Sequence, residues 1–219
     1  MPSYHGLTKW QFRIHSLAEA MKDKLKAYRR KRNFRSTGEP SCGCSRSGGR
    51  HFVIQKHDAS SLHYDLRLEF GGVLVSWAIP KGLSTDPGVK RLAIQTEDHP
   101  LDYIDFEGVI PEGEYGAGTV LVWDTGPYRN LQASKGRNSH SMEDALKNGL
   151  IEVWLKGKKL KGGYALKRTD DGKKPRWLAI KMKDEYADAR RRPTSTEPAS
   201  VTSGRTLKQI AADEAETNK

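Results

Sequence analysis

Several things are scarce in this sequence. Its 219 residues include two cysteines, Cys42 and Cys44, on either side of one glycine. They are too close for an unstrained disulfide and too few for a tetrahedral zinc site. His51 offers a nearby third donor, but a reduced pair in a loop accounts for the motif more simply. Long apolar runs are missing too: none approaches the roughly 18 residues that cross a bilayer, and Met1 is not followed by a basic and then an apolar leader. A soluble, cytoplasmic protein with no membrane contact is expected. Acidic residues are outnumbered, 27 Asp+Glu against 38 Lys+Arg, and the formal charge of +11 favours a polyanionic partner, nucleic acid first. The length suits one well-filled core with an added arm and tail, and no internal repeat interrupts it.

The chemistry is concentrated between Gln55 and Phe70. Leu62, Tyr64, Leu66, Leu68 and Phe70 are apolar and alternate with His63, Asp65, Arg67 and Glu69, the pattern of a half-buried strand. Two residues along a strand advance roughly 6.6 Å, so an imidazole, a carboxylate and a guanidinium follow one another on one face. The preceding run from Phe52 to His57 reads as the hairpin partner, with Val53, Gln55 and His57 sharing a face. His57 joins the face of His63 and Asp65 only if it pairs with His63, which requires an odd loop or a bulge. In that register two imidazoles and a carboxylate converge, a donor set suited to Mn, Fe or Zn with positions open for water and substrate. A solvated strand face with incidental histidines is the plainer alternative, and Gln55 and Arg67 on the same face weigh against it.

Ser16 and Glu19 form a capping box ahead of Leu17, Met21, Leu25 and Tyr28, which predicts an amphipathic helix to about Arg30. Its basic end, Arg29 to Arg32, reads equally as a phosphate-binding edge or as cations suited to a helix C-terminus. A Gly/Ser/Pro loop leads to the hairpin, and Gly71-Gly72 turns into a third strand, Val73 to Ile79. In the next strand, Lys90 to Glu97, Leu92, Ile94 and Thr96 share one face. Arg91 lies opposite with Ala93 and Gln95, where it would reach the polar face. The glycines between Glu107 and Gly118 imply a tight, specific loop. Thr119 to Trp123, Ile151 to Leu155, Leu160 to Lys167 and Trp177 to Lys183 read as strands, and Ser141 caps a short helix that ends at Gly149. The fold expected is mostly β: a compact antiparallel barrel over residues 31–186, preceded by a polar segment and helix over 1–30. A disordered basic and polar tail is expected over 187–219, with a short helix near Leu207 to Ala212.

These residues resemble the 3′-phosphoesterase module of bacterial DNA ligase D and its stand-alone relatives, over about Lys31 to Tyr186. The likeness is carried by Phe52 to His57, His63 to Glu69, Trp77 to Gly82, Glu97 to Tyr103, Phe106 to Gly108 and Pro111 to Gly116. It implies a β-barrel that uses manganese to heal DNA 3′ ends, removing a terminal 3′ ribonucleoside and then the 3′ phosphate. It also implies that His57, His63 and Asp65 hold the metal and that Arg67, Lys81 and Arg91 contact the phosphate. His99 and Tyr103 would complete the site, with Gln55 in support. His99 is the candidate to protonate the leaving 3′ oxygen. The family's Arg-Asp-Phe and later Glu-Pro correspond to Arg32-Asn33-Phe34 and Glu39-Pro40, so Arg32 and Glu39 join the candidates and Asn33 is a departure that removes a charge. The implied partners are primer-template DNA ends bearing a 3′ phosphate or ribonucleotide, with a separate ligase, polymerase and Ku, and a monomeric state is expected.

Two other classes compete. An iron and 2-oxoglutarate oxygenase also begins its triad with His-x-Asp on a barrel strand, and His99 would be the distal ligand. The first Arg after His99 is Arg129, however, far in sequence from where a co-substrate carboxylate would need it. A barrel that merely binds nucleic acid accounts for the charge but gives the three-donor geometry no task.

Overall fold

The parity demanded by the hairpin is met. In the computed structural model, which describes residues 24–41, 49–133 and 140–217, β1 (His51–Asp58) pairs with β2 (Leu62–Phe70) so that His57 lies opposite His63. The connecting loop has an odd number of residues, Ala59 to Ser61. β2 then pairs with β3 (Val73–Ile79) through the turn at Gly71 and Gly72, both at positive φ, as such a tight turn requires.

The remaining strands are β4 (Lys90–Gln95), β5 (Gly108–Ile110), β6 (Gly118–Asn130), β7 (Leu150–Lys156), β8 (Lys161–Asp170) and β9 (Arg176–Lys181). The sheet order β1-β2-β3-β4-β9-β8-β7-β6 is closed by β1 pairing with β6, giving an eight-stranded antiparallel barrel with β5 added at β6. Its interior takes alternate residues from every wall strand: Phe52 and Ile54, Leu66 and Leu68, Trp77, Ala93, Trp123, Val153, Leu166 and Trp177. The helix α2 (Met142–Asn148) adds Met142 and Ala145 to that core, behind the capping box of Ser141 and Asp144 and before the left-handed Gly149.

A second, smaller apolar cluster lies on the outer wall. Val53, Leu74 and Val122 project from the strands against Tyr28, Leu101, Tyr103 and Ile104. The covering residues belong to α1 (Lys26–Arg30) and the 3₁₀ turn Leu101–Asp105. The polar face of β2 therefore lies on the outside of the barrel beneath a covering layer, and the interior is apolar.

Three expectations are corrected, and a fourth falls mostly on residues the structure does not describe. The helix predicted from Ser16 lies mainly outside the described residues, as do Cys42 and Cys44, and only Lys26–Arg30 is seen. The strand at Thr119 continues through Gly126 and Pro127 to Asn130, because a bend there fits against the next hairpin: a Cβ on Gly126 would stand 2.3 Å from Lys156 O. β4 faces the opposite way, with Ala93 buried and Leu92 44% exposed. Trp77 and Trp177 meet edge to face in the interior, which leaves space there for an alanine, and Gln95 accepts the Trp177 Nε1–H. Finally, the segment expected to be a disordered tail is built into the fold.

In that segment, α3 (Pro193–Thr196) offers Thr194 O to the Tyr64 hydroxyl, and Glu197 O, just past it, accepts from Trp123 Nε1 and Lys159 Nζ. α4 (Leu207–Thr217) buries Ile210. The Ser/Thr/Pro composition suggested disorder, but the carbonyls of this strap satisfy donors at one end of the barrel.

Candidate metal centre

His57, His63 and Asp65 stand together as the register requires, each offering one ligand atom within 4.8 Å of the others. His57 Nδ1 is 3.8 Å from Asp65 Oδ2, and His63 Nε2 is 3.8 Å from Asp65 Oδ1. The outward nitrogens fix the rings. His57 Nε2–H donates to Gly116 O at 2.9 Å, and His63 Nδ1–H donates to Ser61 O at 2.8 Å. Each imidazole is thus held in the tautomer that turns a lone pair toward Asp65. Two neutral nitrogens and one carboxylate carry net charge −1, which fits a divalent cation. Burial alone would raise the Asp65 pKa, but the Arg67 guanidinium leads the opposing interactions and the carboxyl is held below its ordinary value.

Arg67 backs the cluster. The residue is 3% exposed, with Nε on Gln55 Oε1 at 2.8 Å, Nη1 on Ser76 Oγ at 2.9 Å and Nη2 on Asp65 Oδ2 at 3.1 Å. Gln55 is in turn anchored through its amide to Tyr103 O and Phe106 O. Arg67 is therefore a buried strut behind the cluster, with all three of its nitrogens engaged.

His99 lies behind Arg67, outside the donor cluster. Its Nδ1 is 2.9 Å from Glu97 O and 3.0 Å from Arg67 Nη1, and its Nε2 is 3.1 Å from Arg32 Nη2. Burial first, and then the two guanidiniums, push its pKa well below 6.5. The tautomer that satisfies Glu97 puts the proton on Nδ1 and leaves Nε2 accepting from Arg32.

The arm supplies the outer part of the network. Arg32 donates to Glu39 Oε1 at 2.8 Å and Glu97 Oε1 at 3.1 Å, and Tyr103 OH donates to Glu39 Oε1 at 2.9 Å. Lys31 Nζ reaches Glu97 Oε2 at 3.0 Å and the Tyr115 hydroxyl at 3.1 Å. Burial opposes ionisation of Glu97, but Lys31 and Arg32 overcome it and keep the carboxyl below its usual range. Asn33 is exposed and caps a local turn, its Oδ1 accepting from Arg35 N at 3.3 Å.

Nine of the sequence-derived candidates are thus joined in one contact network: His57, His63, Asp65, Arg67, Gln55, His99, Tyr103, Arg32 and Glu39. Lys81 is exposed just beyond β3, at the barrel end where Ile79 lies beside Tyr64. Arg91 points to the interior side of β4 with Ala93, away from the face that carries Arg67, so the expected approach from the polar face is corrected. Sequence reasoning missed the carbonyls of Gly116 and Ser61, the Ser76 hydroxyl and the carboxylate of Glu97. Only the glycine-rich loop carried a signal: Gly116 has φ 83°, and a Cβ at Gly118 would stand 2.1 Å from Asp58 O.

Fold and site together define a closed β-barrel protein with a metal-ligand type of donor cluster on its outer wall. Residues 55–168 match the model of the DNA ligase D 3′-phosphoesterase domain, and the chain belongs to that family. It is 48% identical over 189 residues to the multifunctional non-homologous end joining protein LigD of Pseudomonas aeruginosa, covering 84% of this chain and 22% of the relative. Identity is 46% over 165 residues to the multifunctional non-homologous end joining DNA repair protein LigD of Mycobacterium tuberculosis, covering 74% and 20%. With the LigD of Mycolicibacterium smegmatis it is 43% over 191 residues, covering 86% and 24%. The chain therefore spans about a fifth to a quarter of these relatives. No helix among the described residues is long and apolar enough to cross a membrane.

Proposed function

We propose that this chain is a divalent-metal-dependent phosphoesterase that heals DNA 3′ ends in break repair, removing a terminal 3′ ribonucleoside and then the 3′ phosphate to leave a hydroxyl. The observation that carries the reading is the convergence of His57 Nδ1, His63 Nε2 and Asp65, with both imidazole tautomers fixed by backbone carbonyls, in a chain of the 3′-phosphoesterase family. These three residues would hold the ion, proposed to be manganese. When bound, it supplies charge neutralisation at phosphoryl oxygens and a lowered pKa for water.

The chain's own residues do the rest. Side-chain exposure rises from 9% at His57 and 10% at Asp65 to 23% at His63, so the cluster opens at His63. A phosphate entering there would find Lys81, exposed just beyond β3 next to the start of β2, as a point charge to draw it in. Arg67 acts from behind, keeping Asp65 ionised and aimed. His99 and Glu39 hold Arg32 in place, Gln55 and Ser76 hold Arg67, and Lys31 of the arm completes one wall with Tyr115. The position of His99 behind Arg67 favours hydrolysis over the oxygenase reading, which needs that imidazole among the metal donors. Cooperation with a separate ligase, polymerase and Ku belongs to the same proposal, prompted by the end-joining names of the relatives.

The test is incubation with manganese and a labelled primer-template bearing a 3′ phosphate, then one bearing a 3′ ribonucleotide, with chelator controls. Phosphate release from the first, and sequential loss of nucleoside and phosphate from the second, are expected only with metal. Intact substrates at full metal occupancy would overturn the proposal.

A further inference from the structure

Away from the metal centre, a groove of about 360 Å³ lies over the outer wall at β7 and the turn into β8. Its floor is aromatic: Trp154 and Tyr186 meet edge to face with centroids 6.0 Å apart, and Tyr186 is 43% exposed. Trp154 projects outward because Val153 and Leu155 fill the interior, and its cross-strand neighbour is Gly163, which has no side chain to cover the ring. Tyr186 is held in place, with its backbone N–H donating to Asp184 Oδ1 at 2.9 Å. The rim is cationic. Arg129 sits over the Trp154 ring at 5.7 Å, and Lys156 and Lys161 line the groove. All three cations are exposed, and none is ion-paired with a carboxylate among the described residues.

We infer that this groove binds unpaired nucleic acid, with bases stacked on Trp154 and Tyr186 and the backbone held by Arg129, Lys156 and Lys161. Ring faces flanked by unpaired cations are the chemistry that single strands select, since every base offers a π-face and every linkage a charge. On β6, Val120 lies opposite His57 and Arg129 opposite Trp154, so the groove and the metal centre are nine strand steps apart, at most roughly 30 Å along a strand that bends at Gly126. The two sites thus take different parts of one DNA end. Resting on the function proposed above, the occupant is the single-stranded overhang of the template strand, which leaves the duplex where the recessed 3′ terminus enters the metal centre.

The test measures binding and turnover separately on primer-templates whose overhang is extended stepwise from zero. Affinity, read by fluorescence anisotropy without metal, should rise once the overhang can cover roughly 30 Å and then level off. The triple variant Y186A/K156A/K161A changes exposed side chains only. It should lose that rise, roughly tenfold, with a shallower salt dependence, while its affinity for a blunt duplex and its saturated rate of phosphate release stay at the parent level. Quenching of tryptophan fluorescence by the overhang in the parent should disappear in W154F/Y186A. An affinity independent of overhang, or a variant that keeps the full overhang effect, overturns the inference. Overhang-dependent binding without phosphate release would leave it standing and sink the phosphoesterase reading instead.

Discussion

Replacing Gly116 with alanine isolates what one backbone carbonyl does for the metal centre. Gly116 adopts φ 83°, and its carbonyl receives the His57 Nε2–H at 2.9 Å. A Cβ there would meet only His57 Cε1 at 3.9 Å and Ile110 Cδ1 at 4.0 Å, so crowding is not the difficulty. The cost is conformational, about 1–2 kcal/mol for an L-residue in the left-handed region, and the chain relieves it by rotating the peptide. That rotation swings the carbonyl away from His57, whose Nδ1 lone pair is then no longer held toward Asp65. Losing a partner of this kind commonly costs 10–100-fold in metal affinity. Gly113 is the control: it has φ 87° and open space around a Cβ, so Gly113→Ala carries similar strain without touching His57. Urea denaturation of the metal-free proteins should therefore show two variants destabilised alike. Calorimetric titration with manganese should show weakened binding for Gly116→Ala alone. Equal affinity in both variants and the parent would refute the reasoning.

Asp65→Asn should stay folded, because the amide oxygen still accepts from Arg67, at a cost of roughly 1–3 kcal/mol for the lost charge. It should lose metal binding, which titration checks. Asp98 is half-buried, and desolvation raises its pKa from 3.8 to about 6, so the folded state binds the extra proton between those values. Stability from this group is fully present below about pH 4 and lost as pH rises through 6. Asp98→Asn should thus leave stability unchanged at pH 4 and raise it by ~2 kcal/mol at pH 7, checked by denaturation at both pH values. Arg30→Ala, at an exposed position of α1, should weaken DNA binding and flatten its salt dependence with turnover intact. Lys31→Ala, which strips Glu97 and Tyr115 of a partner, should lower the saturated rate as well, a contrast that steady-state kinetics would reveal.

The barrel and the donor cluster were legible because a strand's period of two is rigid: once His57 was paired with His63, the faces of Gln55, Asp65 and Arg67 followed. Three things were not legible, each because it depends on packing between distant segments. The direction of β4 was misread because Leu92 and Ile94 are more apolar than Ala93, and only the Trp77–Trp177 contact shows that the interior has space for the smaller residue. The bracing of Arg67 was hidden because its partners Ser76 and Gln55 come from the neighbouring strands. The strap beyond Ala187 looked disordered because its order comes from carbonyls that meet Tyr64, Trp123 and Lys159, which composition does not reveal.

The central claim is that the imidazoles of His57 and His63 and the carboxylate of Asp65 hold the ion on which 3′-phosphate removal depends. Pulsed electron paramagnetic resonance of bound manganese, recorded beside phosphate release from a labelled 3′-phosphate primer, tests it most directly. Two imidazole nitrogen couplings are predicted in the parent, with one lost in His57→Gln, the other in His63→Gln, and release falling with each. Two nitrogen couplings that persist in either variant, or release that continues without them, would contradict the account.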